Sequence, residues 1–201
     1  MPVRDRGPPS RALNRIGRSD PLQWTAWRYV GGSRFDDPRG SYRVLYAGER
    51  RACFIESLAN FRPGLADVAW SGSVPLEWFS TRRIARFSLL EPTWCAIDLR
   101  AAETIQSLRT ELRGFLSDRG YGDLDMSDAL GHDLVLTQAI SAWAHDLGFR
   151  GIVYSSRLAL DMVCVAIFEL AIFAEVQIAE IDRQDPDVRW AADALGLRLP
   201  E

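Results

Sequence analysis

Helical segments and short strand-like runs follow one another in this chain without a regular strand–helix alternation. That order constrains its fold more than any other feature. TAWRYV (25–30), RVLYAG (43–48), RRIARFSLL (82–90), TWCAIDL (93–99) and FRGIVYSS (149–156) have strand character. DMVCVAIF (161–168) reads as a buried strand, and FAEVQIAEID (173–182) alternates like a half-exposed one. Between them, Ala52, Ile55, Leu58 and Ala59 recur at helical spacing and stop at Pro63-Gly64. Ile105, Leu108, Leu112, Phe115 and Leu116 form a second stripe ending at Gly120. DLVLTQAISAWAHDLG (133–148) gives a third helix and the tail from Asp185 a short last one. Pro75 and Glu77 hint at an edge or turn, and 120–130 reads as a polar loop. The class that fits is α+β.

A chain of 201 residues suffices for one domain and buries roughly 70% of its unfolded surface without a disulfide or metal staple. Residues 1–20, with Gly7-Pro8-Pro9 and scattered Arg, read as a flexible arm; 21–201 reads as a single domain. The arm lacks the apolar core of a secretory signal. The run MVCVAIFELAIFAEV (162–176) is broken by Glu169 and Glu175 and is too short to span a bilayer. A cytoplasmic protein with no membrane partner is therefore expected. Net charge is −3, which gives no reason to expect direct nucleic-acid binding. The basic residues are all Arg, so Schiff-base lysine chemistry and a P-loop lysine are excluded. Cys53, Cys95 and Cys164 sit singly in apolar runs, as free thiols in a reducing compartment do. No CxxC occurs, and His132 and His145 are too far apart for one helical face, so no metal site is expected.

Several residues carry possible chemistry. Glu56 is a carboxylate on a predicted helix, at the edge of its apolar face; it is either a solvated helix-face acid, the commoner case, or one that borders a cleft and needs a partner. Arg28 and Arg34 flank Gly31-Gly32, the kind of setting in which two guanidinium groups grip a diphosphate; ordinary surface arginines would look the same. Tyr46 is either core or an aromatic shelf for a flat ring. Ser156 follows a predicted strand. Neither GxGxxG nor GxSxG is present, which disfavours a Rossmann site and an α/β-hydrolase serine. Asp123, Asp125 and Asp128 lack the register of a calcium loop.

The order of these residues carries a resemblance. WRYVGGSRFDDPRGSYRVLYAGERRACFIESL resembles the opening of the RES domain family, the toxin half of RES–Xre toxin–antitoxin pairs. Arg28 matches its strand Arg, Arg34 its loop Arg, Tyr46 its Leu-Tyr aromatic and Glu56 its helix acid. TQAISAWAHDLGFRGIVYSSR resembles a later block, with a Gln-bearing helix, a strand and a serine turn. Ser156 takes the serine position, or Ser155 one residue earlier; Ser155 stands where relatives carry Pro, and Asp161-Met162 where they often carry Gly and Asn.

The resemblance implies a mixed, mostly antiparallel sheet with flanking helices, similar to the ADP-ribosyltransferase fold. It implies a toxin that consumes NAD+ by cleaving its nicotinamide–ribose bond, as a glycohydrolase or phosphorylase, without a metal. The alternatives are a mono-ADP-ribosyltransferase with a protein target and a non-catalytic nucleotide- or partner-binding module. In the first reading Arg34, Glu56 and Tyr46 are catalytic, and Arg28, Arg34, Tyr46 and Ser156 bind NAD. The expected partner is an Xre-like helix-turn-helix antitoxin, in a hetero-oligomer or beside a homo-oligomer.

Overall fold

A computed structural model describes residues 5–6, 12–24, 26–27, 30–64, 72–90, 94–169 and 171–201. Eight strands form one sheet: β1 (Asp5–Arg6), β2 (Leu13–Gly17), β3 (Val44–Gly48), β4 (Arg83–Leu89), β5 (Ala96–Asp98), β6 (Gly151–Ser155), β7 (Val163–Phe168) and β8 (Phe173–Glu180). Their spatial order is β1-β5-β6-β7-β3-β2-β4-β8. The β5–β6 pair is parallel and the others are antiparallel. This is the mixed, mostly antiparallel α+β sheet that the resemblance implies.

The helices are α1 (Arg50–Leu58), α2 (Leu76–Thr81), α3 (Ala102–Glu111), α4 (Arg113–Asp118), α5 (Met126–Ala129), α6 (Leu134–Asp146) and α7 (Pro186–Leu195). The long stripe over 101–120 is split at Leu112 into α3 and α4. Residues 76–81 are helical rather than an edge or turn, because Pro75 sits just ahead of the first turn, where its missing N–H costs nothing. The polar loop contains α5, and Asp125 and Asp128 cap it reciprocally. That capping box is what two of the three acids do; Asp123 pairs instead with Arg109 at 2.8 Å.

Alternation along the strands divides the core. Leu45, Ala47, Ala85, Phe87, Val165 and Ile167 pack on one face. On the other, Val44, Ile152, Tyr154, Ala166 and Phe168 meet α3–α6. Beside that cluster, Ile84 meets Phe54, Ile55 and Leu58 of α1, Trp78 of α2 and Val188 of α7. The two clusters flank the line where β2 and β3 run together.

That line is the weak seam of the sheet. β3 follows β7 in register from Val44 to Gly48, and β2 follows β4 from Leu13 to Gly17. Between β2 and β3 the register is Asn14–Gly48 alone among the described residues. A half-buried arginine bridges the gap beyond it. Arg15 donates from Nη1 to the Tyr46 carbonyl at 2.6 Å and from Nε to the Pro21 carbonyl at 2.7 Å. Residues 13–17 therefore form an inner strand, and the reading of 1–20 as a flexible arm is corrected at this point. The arm looked structureless because Pro and Arg dominate it, while this strand is only five residues long. Among the described residues no helix is long and apolar enough to cross a membrane.

Candidate active site

A cleft of about 450 Å³ opens over the seam, lined by Arg15, Arg34, Tyr46, Cys53, Glu56 and Tyr154 among others. β3 ends at Gly48 beside β7: a Cβ at Gly48 would lie 2.7 Å from the Val163 carbonyl oxygen. The close approach lets Glu49 donate its N–H to that oxygen at 2.9 Å and launches α1 across the seam. Ala52, Phe54, Ile55 and Leu58 are buried under α1, which leaves half-buried Glu56 on the cleft side.

Glu56 is fixed from behind. Ser156 is 0% exposed and donates from Oγ to Glu56 Oε1 at 2.7 Å. The Ser156 Oγ itself accepts the Leu158 N–H at 3.1 Å, so the hydroxyl is oriented by the turn that follows β6. Ser156 thus reaches the cleft through Glu56. Ser156, the residue expected to bind NAD, has an enclosed side chain whose hydroxyl is engaged by Glu56 and the Leu158 N–H.

Arg34 lies on the opposite wall, in a loop without regular structure. Its guanidinium donates to the Leu130 carbonyl at 3.1 Å and lies over the Tyr154 ring at 5.1 Å. The loop is held by side chains from several directions. Gln138 of α6 donates both to the Gly31 carbonyl at 2.9 Å and to the Ser33 carbonyl at 3.1 Å. Ser141 donates to the Phe35 carbonyl at 2.6 Å and meets the Tyr42 hydroxyl at 2.7 Å. Asp36 accepts the N–H groups of Gly31 and Ser33 on one oxygen. Tyr46 donates its hydroxyl to the other at 3.0 Å and accepts the Phe35 N–H at 3.1 Å. Its phenol therefore ties β3 to the Arg34 loop, while the residue borders the cleft. Burial, then the neighbouring Asp36 charge, push the Tyr46 pKa well above the usual tyrosine value, so it stays protonated at neutral pH.

Arg15 is the functional candidate that sequence reasoning missed. Burial lowers its pKa, yet a guanidinium stays charged in proteins. Two fixed cations, Arg15 and Arg34, therefore share one hollow with the Glu56 carboxylate. Arg28, the expected strand arginine, lies outside the described residues. Cys53 and Cys164 also line the cleft. Burial pushes the Cys53 thiol up to about 12 and raises Cys164 as well, so neither is a thiolate nucleophile near neutral pH. The arrangement can neutralise an anionic ligand on two guanidinium groups and place a carboxylate beside a centre that becomes cationic.

The RES domain family matches residues 12–191, which cover the strand of Arg15 and everything that builds the cleft. No curated protein matches. Among solved structures, a chain of the M. tuberculosis MbcT–MbcA toxin–antitoxin complex superposes with a TM-score of 0.56. The alignment covers 92% of this chain and 88% of that one at 15% identity, a likeness of fold.

Proposed function

The chain belongs to the RES domain family, and from that premise we propose that it is the toxin of a toxin–antitoxin pair that degrades NAD+ by breaking its nicotinamide–ribose bond. The observation that carries this reading is the Glu56 carboxylate, held by an enclosed serine, in one cleft with two guanidinium groups. NAD+ offers what those groups complement: a diphosphate for Arg15 and Arg34, and a ribose carbon that gains positive charge as the bond to nicotinamide breaks.

In the proposed reaction the N-glycosidic bond breaks and its electron pair leaves with nicotinamide, which departs neutral from a cationic ring. Glu56 stabilises the oxocarbenium-like ribose by charge. Water or phosphate then bonds to the ribose carbon; when water attacks, its proton passes to solvent or Glu56. The Ser156 bond keeps one carboxylate oxygen oriented through both events. Arg34 and Arg15 fix the diphosphate, which holds the ribose in place for attack. Tyr46 keeps the Arg34 loop in position and supplies a flat wall. This substrate implies a cytoplasmic site of action, and the toxin reading implies an Xre-like antitoxin as partner.

The experiment is nicotinamide release from NAD+ by the purified chain beside Glu56→Gln. The expected result is release by the wild type and a loss of at least roughly 100-fold in the variant, with unchanged melting. Equal rates would sink the assignment. Adenylate label appearing on protein rather than in free ADP-ribose would redirect it to a protein acceptor.

A further inference from the structure

β2 runs past the main cleft towards a second hollow. Arg15 and Ile16 line the first; Arg18, just beyond the strand, lines the second, of about 360 Å³. The turn after α1 does the same, with Asn60 on the main cleft and Phe61 on the neighbouring hollow. The rest of the second lining includes Glu77, Trp78, Thr81 and Arg82.

Its charges are unbalanced. Arg82 is half-buried, with its guanidinium over the buried Trp78 ring at 5.7 Å. The adjacent Arg83 is paired with Glu180 at 3.0 Å. Neither Arg18 nor Arg82 has a carboxylate partner within ion-pair distance among the described residues. Burial and then the charge of Arg18 lower the Arg82 pKa, so two like charges share the space. Glu77 stands exposed at the rim and pairs with neither. The Thr81 hydroxyl donates to the Glu77 carbonyl at 2.7 Å. Two cations against one rim carboxylate leave a net positive hollow, and desolvated guanidinium without a counter-ion is relieved by an anion.

We propose that this hollow, beside the main cleft, is a site for a phosphate dianion, with Arg18 and Arg82 as the binding groups. A phosphate dianion matches two guanidinium groups in charge and in forked geometry better than a carboxylate does. Two sources share that chemistry: a phosphate carried on the far ribose of a bound dinucleotide, and free inorganic phosphate. The first source rests on the NAD+ reading of the main cleft; the second does not.

Calorimetric titration of the full chain separates them, with NAD+, its 2′-phosphorylated form and inorganic phosphate as probes. Wild type is compared with Arg18→Gln and with Arg18→Gln/Arg82→Gln. If the dinucleotide is the source, the 2′-phosphorylated form binds roughly tenfold tighter than NAD+, and the double variant loses that advantage while its affinity for NAD+ is unchanged. If free phosphate is the source, it binds wild type, the double variant loses it, and the 2′-phosphate brings no advantage. An advantage that survives in the double variant overturns the proposal. So does a wild type indistinguishable from it with all three probes. Failure of both dinucleotides to bind would sink the NAD+ reading alone, because the phosphate titration still decides this hollow. Arg18→Gln, at an exposed position, keeps the test valid if the double variant folds poorly.

Discussion

The two walls of the cleft are built by different physics. The Arg34 wall is irregular chain from Gly31 to Tyr42, held by Gln138, Ser141, Asp36, Asp37 and Tyr46 through hydrogen bonds. The Glu56 wall is a helix seated on an apolar face and tied at its start to α7 by Arg51–Asp187 at 2.8 Å. A loop satisfies few of its own backbone groups, so each must find a partner elsewhere, and losing one moves the loop. A helix satisfies its own and needs only packing to be placed. The polar wall should therefore be brittle in geometry, and the apolar wall should lose stability before it loses shape.

The largest effect tests the apolar wall. Phe54 is fully buried under α1, and Phe54→Ala should cost about 3–5 kcal/mol by denaturant unfolding. Nicotinamide release per folded molecule should stay within about threefold, because the cavity lies behind the helix rather than beside Glu56. If turnover falls in step with the cavity, the two walls do not differ as described.

Gln138→Leu is the matching test of the polar wall. It removes both donors to the Gly31 and Ser33 carbonyls from an almost enclosed site. Stability should drop by about 1–3 kcal/mol, less than for Phe54→Ala. Turnover should nevertheless fall at least roughly tenfold, since Arg34 is misplaced. A variant with normal turnover would show that the loop is held redundantly.

The same contrast explains what the sequence could disclose. Arg34, Tyr46 and Glu56 are legible because they lie in one contiguous block whose pattern survives without any long-range contact. The pairing of Ser156 with Glu56 spans 100 positions, so its role as an orienting group emerges only once β6 and α1 are packed. Arg15 was hidden for a different reason. Its strand, LNRIG, shows only Leu13 and Ile16 as apolar positions, and a Pro- and Arg-rich segment precedes it. The signal that could have revealed it is pairing with RIARFSL, which is tertiary information. The α3–α4 break was equally illegible, because the apolar stripe continues straight through Leu112.

Acid probes the polar wall through Asp37, which bonds the backbone N–H groups of Arg39 and Tyr42 and both the N–H and the hydroxyl of Ser41. Burial pushes its pKa up, but those bonds outweigh burial and leave the folded value below the ordinary one. A depressed carboxylate stabilises fully above its unfolded pKa, about 3.9, and loses that contribution as pH falls through the lower folded value. Unfolding free energy should therefore decline as pH falls below about 4, and Asp37→Asn should remove that part of the slope. An unchanged slope in Asp37→Asn would assign the acid sensitivity to other carboxylates, such as Asp146 beside Arg39.

The smallest expected change in stability is at Ser156, where the two walls can be compared at a single bond. Ser156→Ala removes the donor to Glu56 Oε1 and the acceptor for the Leu158 N–H, at a cost of about 1 kcal/mol. Glu56 would then keep its helix and its packing but lose its orientation. On the NAD+ reading, kcat should fall roughly tenfold while KM stays unchanged, because the Arg15 and Arg34 grip on the diphosphate is untouched. A rise in KM at constant kcat would mean that Ser156 supports binding instead. The serine would then act with the polar wall, through the turn it orients, rather than with the carboxylate it touches.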